Sequence, residues 1–411
     1  LLVLIKSDYY SVFFHITLVY IHNILYSMSF PLFCICPLED QSMLDAIQEL
    51  TRSLRRKFGV MGQTLSEPVT TKESATCEDK RFKVGSSCMQ GWRINMEDAH
   101  THILSLPKDE GTAFFAVYDG HGGAKVSQYA GANLHDTIYS QAAYSENIED
   151  ALRSGFLAID EQMKNDDDMK DDMSGTTAIA IIIKNGIAYC ANVGDSRAVL
   201  SVNGRAVPLS YDHKPANEKE AKRIVAAGGW VEFNRVNGNL ALSRALGDFA
   251  FKRNPKKSPE EQMVTAYPDV IRMPLVPETH EFILLACDGI WDVMTNQEVV
   301  DFVRERVAIG KDAKTICEEL LSRCLAPDCQ MGGLGCDNMT AVLVLLAHGN
   351  PIEELIAKCR QPREEGGEDE SHHDEDYGTP SASPSDVRAK SDGDAHDNDD
   401  DDDEDGPPTE F

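Results

Sequence analysis

The chain has 411 residues, 42% of them hydrophobic, with a formal charge of -29; that is enough for one large folded domain with appendages, and it lacks the Lys and Arg surplus that a nucleic-acid clamp needs along a phosphate backbone. The acid is unevenly placed: Glu364 to Phe411 holds 20 Asp or Glu against Arg388 and Lys390, a charge of -18 that leaves the body at only -11. Eleven scattered cysteines, an odd count without a paired framework, argue for free thiols in a reducing, cytoplasmic compartment and against a secreted disulfide scaffold.

From Tyr9 to Leu38 there is no Asp, Glu, Lys or Arg, a stretch long enough to cross a bilayer. Arg52, Arg55, Arg56 and Lys57 behind it would hold the following domain in the cytosol. His15, His22, Asn23 and several Ser dilute the run, and the favoured alternative is that residues 1–60 are not made and translation begins at Met61. Met61-Gly62-Gln63-Thr64-Leu65-Ser66 then fits the N-myristoylation pattern with Gly62 as acceptor. One such chain gives only a reversible membrane contact. Residues 61–81 read as an N-terminal arm.

From Phe82 to His348 short apolar runs alternate with turn signals. Thr177 to Val193 reads as two strands joined at Asn185-Gly186, and Arg197 to Leu209 as two joined at Asn203-Gly204, with Asn237-Gly238 as a third hairpin signal. Helical periodicity appears in Gly122 to Ile138, Ile148 to Met163, Asn217 to Ala227, Asn296 to Val307 and Lys311 to Leu325. Later strands fall at Glu281 to Cys287 and Met339 to Leu346. Antiparallel strands with helices added in blocks predict an α+β domain with packed sheets inside. Residues 349–411 read as a disordered acidic tail, too poor in apolar residues to offset the entropy of ordering, which serves solubility or binds basic partners. The Lys252-Arg253-Asn254-Pro255-Lys256-Lys257 cluster reads as a solvated loop; its alternative is a nuclear signal.

Acids at apolar strand ends mark the chemistry. Phe114 to Tyr118 and Phe282 to Cys287 are continuous hydrophobic runs that stop in Asp119-Gly120 and Asp288-Gly289, Asp337-Asn338 stands just before another, and Glu97-Asp98 forms a fourth acidic point. A carboxylate at a buried strand end is costly unless paired or metal-bound, and several together suggest a shared cation site. Oxygen-only ligands favour Mg²⁺ or Mn²⁺ over zinc, and Cys324, Cys329 and Cys336 lack the tight pair of a zinc site. Two hard cations a few ångströms apart can stabilise both the attacking and the leaving oxygen of a phosphate ester.

These segments resemble the type 2C, metal-dependent family of protein serine/threonine phosphatases. The likeness is carried by Gly91-Trp92-Arg93 with Met96-Glu97-Asp98-Ala99-His100, by Phe114-Phe115-Ala116-Val117-Tyr118-Asp119-Gly120-His121-Gly122, and by Ser174-Gly175-Thr176-Thr177-Ala178. It continues in Gly194-Asp195-Ser196-Arg197, Ser243-Arg244-Ala245-Leu246-Gly247-Asp248, Ala286-Cys287-Asp288-Gly289-Ile290-Trp291-Asp292 and Asp337-Asn338-Met339-Thr340. The resemblance implies a β-sandwich of two antiparallel sheets flanked by α-helices, four layers in the order α-β-β-α, over residues 82–348. It also implies hydrolysis of phosphoserine and phosphothreonine in proteins by a water or hydroxide bridging two Mg²⁺ or Mn²⁺ ions, without a phosphoenzyme.

Carried over onto matching positions, Asp119 would bridge the two metals, Asp288 and Asp337 would complete one metal's shell, and Glu97 with the Gly120 carbonyl would serve the other. Asp195 with Asp288 resembles a weaker third site. Arg93 would hold the phosphate, and His121, oriented by Asp98, would protonate the leaving oxygen. Arg244 and Thr177 match without an assigned role.

Three other readings compete. Cys317-Glu318-Glu319-Leu320-Leu321-Ser322-Arg323 has the spacing of a cysteine phosphatase loop, but its helix formers and two acids are wrong for cradling phosphate. A catalytically dead binding module should have lost a metal ligand, and none is missing. A hydrolase of small phosphate esters would use the same metal chemistry, and only the resemblance favours protein substrates over it.

Overall fold

The structure, a computed structural model, describes residues 64–329 and 333–363; the apolar segment of residues 1–60, the Gly62 acceptor and the acidic run from Glu364 lie outside the described residues. Side-chain alternation within single strands sets the layering. All of Ala113–Tyr118 is buried. Phe115 and Val117 pack with Phe82, Ile181, Leu285 and Val344, whereas Phe114, Ala116 and Tyr118 pack with Leu134, Leu152 and Phe156. A strand hydrophobic on both faces thus has a sheet on one side and helices on the other.

Five antiparallel strands run in the order Asp269–Pro274, Ile187–Val193, Ala178–Lys184, Ala113–Tyr118 and Ala99–Ile103. Facing them, six antiparallel strands run Thr64–Glu78, Phe82–Arg93, Met339–Leu346, His280–Ala286, Arg197–Val202 and Arg205–Pro208. The helices Lys125–Tyr139 and Ile148–Asn165 cover the first sheet, and Asn296–Ala308 and Ala313–Cys324 cover the second. This is the four-layer α-β-β-α arrangement that the resemblance implied. The helix starts are fixed locally: Asn147 accepts from the backbone N–H groups of Glu149 and Asp150, and Thr295 with Glu298 forms a capping box, each worth about 1 kcal/mol. A short third sheet, Leu246–Gly247, Gly175–Thr176 and Gly120–His121, lies at the strand ends.

Several boundaries differ from those the sequence suggests. Residues 64–78 of the expected arm form a long edge strand registered against Phe82–Arg93; its mixed polar pattern hides it because only one side is paired. The expected tail begins instead with a helix, Ile352–Cys359, whose Leu355 and Cys359 join the core while Arg304 donates to the carbonyls of Lys358 and Gln361. Asn185-Gly186 and Asn203-Gly204 are hairpin turns with positive φ throughout. Asn237-Gly238 closes only a single bridge between Val236 and Leu240, and the nearby hairpin turns at Phe233 and Asn234. Asn237 is drawn off by its own side chain, which accepts from the Trp230 N–H. The free-thiol reading fails for one pair: Cys329 and Cys336, with Cα atoms 5.9 Å apart, form a disulfide beside Trp92, whereas the seven other cysteines among the described residues are free.

Candidate active site

Each predicted acid sits where a strand gives out at the same edge of the sandwich. Asp119 follows Ala113–Tyr118, and its backbone is clamped on both sides: Thr177 N–H donates to its carbonyl at 2.9 Å, and its own N–H donates to Thr177 Oγ1 at 3.1 Å. Thr177 is in turn hydrogen-bonded to Ser196 at 2.7 Å. Asp195, buried, follows Ile187–Val193, and Asp288 opens the short helix after His280–Ala286. Carboxylate oxygens of Asp119, Asp195 and Asp288 all lie within 4.8 Å of one another.

Glu97 and Asp337 stand beside this group rather than within it. Asn338 ties them in: its Oδ1 accepts from the Glu97 N–H at 3.0 Å while its amide donates to the carbonyls of Gln90 and Asn95. Gly120 packs so closely under Glu97 that a Cβ there would fall 2.1 Å from the Glu97 carbonyl oxygen; no other residue fits. Arg93 reaches across from its strand and pairs with Asp337.

The electrostatics follow from this crowding. Asp119 and Asp288 keep part of their surface in solvent, yet protein surrounds them, and that desolvation with the repulsion of neighbouring acids pushes both carboxyls well above their usual range. For Asp119 the neighbours are Asp288, Asp98, Asp337 and Asp195. Asp98, fully enclosed, is pushed up to about 7 mainly by burial, although Thr340 Oγ1 donates to it at 2.7 Å. Lys214, paired with Asp195, and Arg93, paired with Asp337, are cations that partly offset this repulsion around Asp288.

His121 departs from expectation. Its Nε2 lies 2.7 Å from Asp248 Oδ2, whereas the Asp98 carboxylate accepts from Thr340 Oγ1. Burial works against a charged His121, but Asp248, together with Asp195 and Glu97, more than offsets it and the pKa is raised. Arg244, unassigned from sequence, faces Glu220 and Asp269. The supporting residues Thr177, Ser196, Asn338, Thr340 and Asp248 all lie inside the sequence motifs; what the motifs do not reveal is which partner each one holds.

Clustered oxygen donors whose charge outweighs that of the nearby Arg93 and Lys214 are what a hard divalent cation resolves, so the residues present fit one such as Mg²⁺ or Mn²⁺. A family model described as protein phosphatase 2C matches residues 82–331. The chain is 68% identical to a probable protein phosphatase 2C of Caenorhabditis elegans, over 74% of this chain and 85% of that protein. It is 50% identical to protein phosphatase 2C homolog 2 of Hypocrea jecorina, over 72% and 69% respectively. Among solved structures, a phosphatase from a pathogenic strain of Toxoplasma gondii aligns with a TM-score of 0.58 and 27% identity, over 68% of this chain and 96% of that one.

Proposed function

Because the chain belongs to the protein phosphatase 2C family of metal-dependent protein serine/threonine phosphatases, we propose that it hydrolyses phosphoserine and phosphothreonine directly with water at two Mg²⁺ or Mn²⁺ ions, without a phosphoenzyme. The observation that carries this reading is the convergence of Asp119, Asp195 and Asp288 beside Arg93 and His121, with the carboxyl pKa values of Asp119 and Asp288 raised. Bound there, the cations would supply an activated water and neutralise the phosphate charge. Asp119, Asp288 and Asp337 would hold one ion, Asp119, Glu97 and the Gly120 carbonyl the other, and Asp195 with Asp288 a weak third.

The protein's own groups do the rest. Arg93 presents a planar guanidinium that can take two phosphate oxygens at once, once it exchanges Asp337 for the substrate. His121 supplies the proton that a serine or threonine alkoxide needs to leave. A thiol nucleophile finds no support: Cys317 is fully buried within a helix and its pKa is pushed up to about 12 by that burial. The reading extends to the chain ends, where Gly62 would take myristate for reversible membrane contact and the acidic tail would attract basic partners, in the cytoplasm and nucleus; intact mass of the native protein tests the lipid.

The deciding experiment follows phosphate release from a phosphothreonine peptide by residues 61–411 with Mg²⁺, Mn²⁺ or excess chelator, alongside Asp119→Asn. Release should require metal and fall at least about 10³-fold in the variant. Equal release in chelator would refute the metal mechanism, and a large preference for a small aryl phosphate would move the substrate class away from proteins.

A further inference from the structure

The segment from Ala245 to Lys252 is held more firmly than a surface connection requires. Asp160, on the helix Ile148–Asn165, accepts from the Gly247 N–H at 2.8 Å and from Lys252 Nζ through both oxygens at 2.8 Å, and Lys252 also donates to the Ala245 carbonyl. Lys252 is buried, as are Asp248 and Phe249. At the centre of this clamp Asp248 adopts φ +49°, a left-handed conformation that costs a non-glycine residue roughly 1–2 kcal/mol. Its backbone N–H donates to the Ser174 carbonyl at 3.2 Å, and its side chain reaches His121 Nε2 at 2.7 Å. The space between them is closed by Gly175, where a Cβ would lie 2.1 Å from Asp248 Oδ2 and 2.5 Å from His121 Nε2. Strain held in place by packing, and aimed at one atom of one side chain, points to a positioning role.

We propose that Asp248 is a positioning residue that fixes the tautomer and orientation of His121, so that Nδ1 is the nitrogen presented to the leaving oxygen. The proposal rests on the reading of His121 as proton donor. A ring nitrogen beside a carboxylate carries its proton toward that carboxylate, so Nε2–H is committed to Asp248. In the transfer, the bond between phosphorus and the serine or threonine oxygen breaks and its electron pair stays on that oxygen. The proton on Nδ1 goes to the oxygen, releasing the alcohol and leaving a neutral imidazole with Nε2–H against Asp248. The water oxygen forms the new bond to phosphorus and gives up a proton to solvent, from which the imidazole is recharged. Asp160 and Lys252 act one step further out, holding the Asp248 backbone.

Leaving-group dependence tests this, because p-nitrophenolate departs without a proton and an alkoxide does not. In the full chain, Asp248→Asn should lower kcat on a phosphothreonine peptide on the order of 10²-fold while changing KM little and p-nitrophenyl phosphate turnover by less than about 3-fold. His121→Gln should show the same pattern, and the double variant should be no worse than His121→Gln alone. Nitrogen NMR of labelled histidine, taken at a pH where the ring is neutral, should show His121 as the Nε2–H tautomer in the native protein and a changed or mixed tautomer in Asp248→Asn. Should His121→Gln discriminate between the two substrates while Asp248→Asn and Asp248→Ala do not, Asp248 has no such role. If His121→Gln itself does not discriminate, the proton-donor reading fails instead. A loss equal on both substrates, with an unchanged tautomer, would mark Asp248 as merely structural.

Discussion

Glu220 and Asp119 are both carboxylates enclosed by protein, and the fold treats them in opposite ways. Glu220 is buried beneath two guanidinium groups, accepting from Arg223 Nη1 at 2.8 Å, Arg244 Nη2 at 2.8 Å and Ser243 Oγ at 2.7 Å. Burial alone would raise its pKa, but the paired charges and hydrogen bonds of Arg244 and its neighbours bring it down to about 2. Asp119 has Asp288, Asp98, Asp337 and Asp195 around it and a raised pKa. The first cluster is electrically complete within the chain, and the second is complete only when something outside the chain joins it. Where acids gather in a protein, the sign of the surrounding charge separates a structural site from a binding site.

Removing one acid from each cluster should therefore shift stability in opposite directions in chelator. Glu220→Gln leaves two buried guanidiniums short of charge and should cost about 3 kcal/mol in urea unfolding, whereas Asp119→Asn relieves repulsion and should gain about 1 kcal/mol. The pH dependence has a definite sign. With its folded pKa near 2 against 4.5 ordinarily, Glu220 contributes stability that is fully present above pH 4.5 and lost as pH falls toward 2. Glu220→Gln should accordingly lose much of its difference from the native protein in acid. Equal and same-signed effects of the two variants would break the comparison.

Metal addition sharpens it next. At a free Mn²⁺ concentration 100 times the dissociation constant, the native protein should gain about 2.7 kcal/mol. Calorimetry should show this as a higher melting temperature, reversed by chelator and absent in Asp119→Asn but retained in Glu220→Gln. The smallest effect is expected at Cys317. Its thiol donates only to the Gly85 carbonyl inside the core, so Cys317→Ser should leave kcat unchanged in the peptide assay even if the melting temperature falls.

Most of the strands and helices, and the acids that gather at the strand ends, were legible because hydrophobic runs ending in Asp-Gly are a local pattern that one sequence displays. The Ala113–Tyr118 strand and its Asp119 are of this kind. The pairing of His121 with Asp248 spans 127 residues and depends on how a short third sheet folds over the site, which no local period encodes. Asp98 stood nearer in sequence and matched in chemistry, and Thr340 was already holding it. The Cys329–Cys336 bond was hidden for a different reason, since composition weighs all the cysteines together and one pair can depart from the rest. The edge strand at Thr64–Glu78 buries little of its own surface, so hydrophobic periodicity gives it only a faint signature; the helix at Ile352–Cys359 does carry an apolar stripe, but over only eight residues beside an acidic run whose composition masks it.

The placement of the acids at the ends of different strands has a consequence for how the protein comes into being. Asp119 and Asp195 belong to one sheet, Asp288 and Asp337 to the other, and Glu97 to the crossing between them. Contacts so distant in sequence form late, after the local helices and hairpins. A fragment carrying either sheet alone therefore holds only part of the acidic cluster, Asp119 with Asp195 in one case and Asp288 with Asp337 in the other. On the ligand sets proposed above, the full complement of cations would belong only to molecules whose two sheets have closed on one another, and an unfinished phosphatase would be inert toward its substrates rather than indiscriminate.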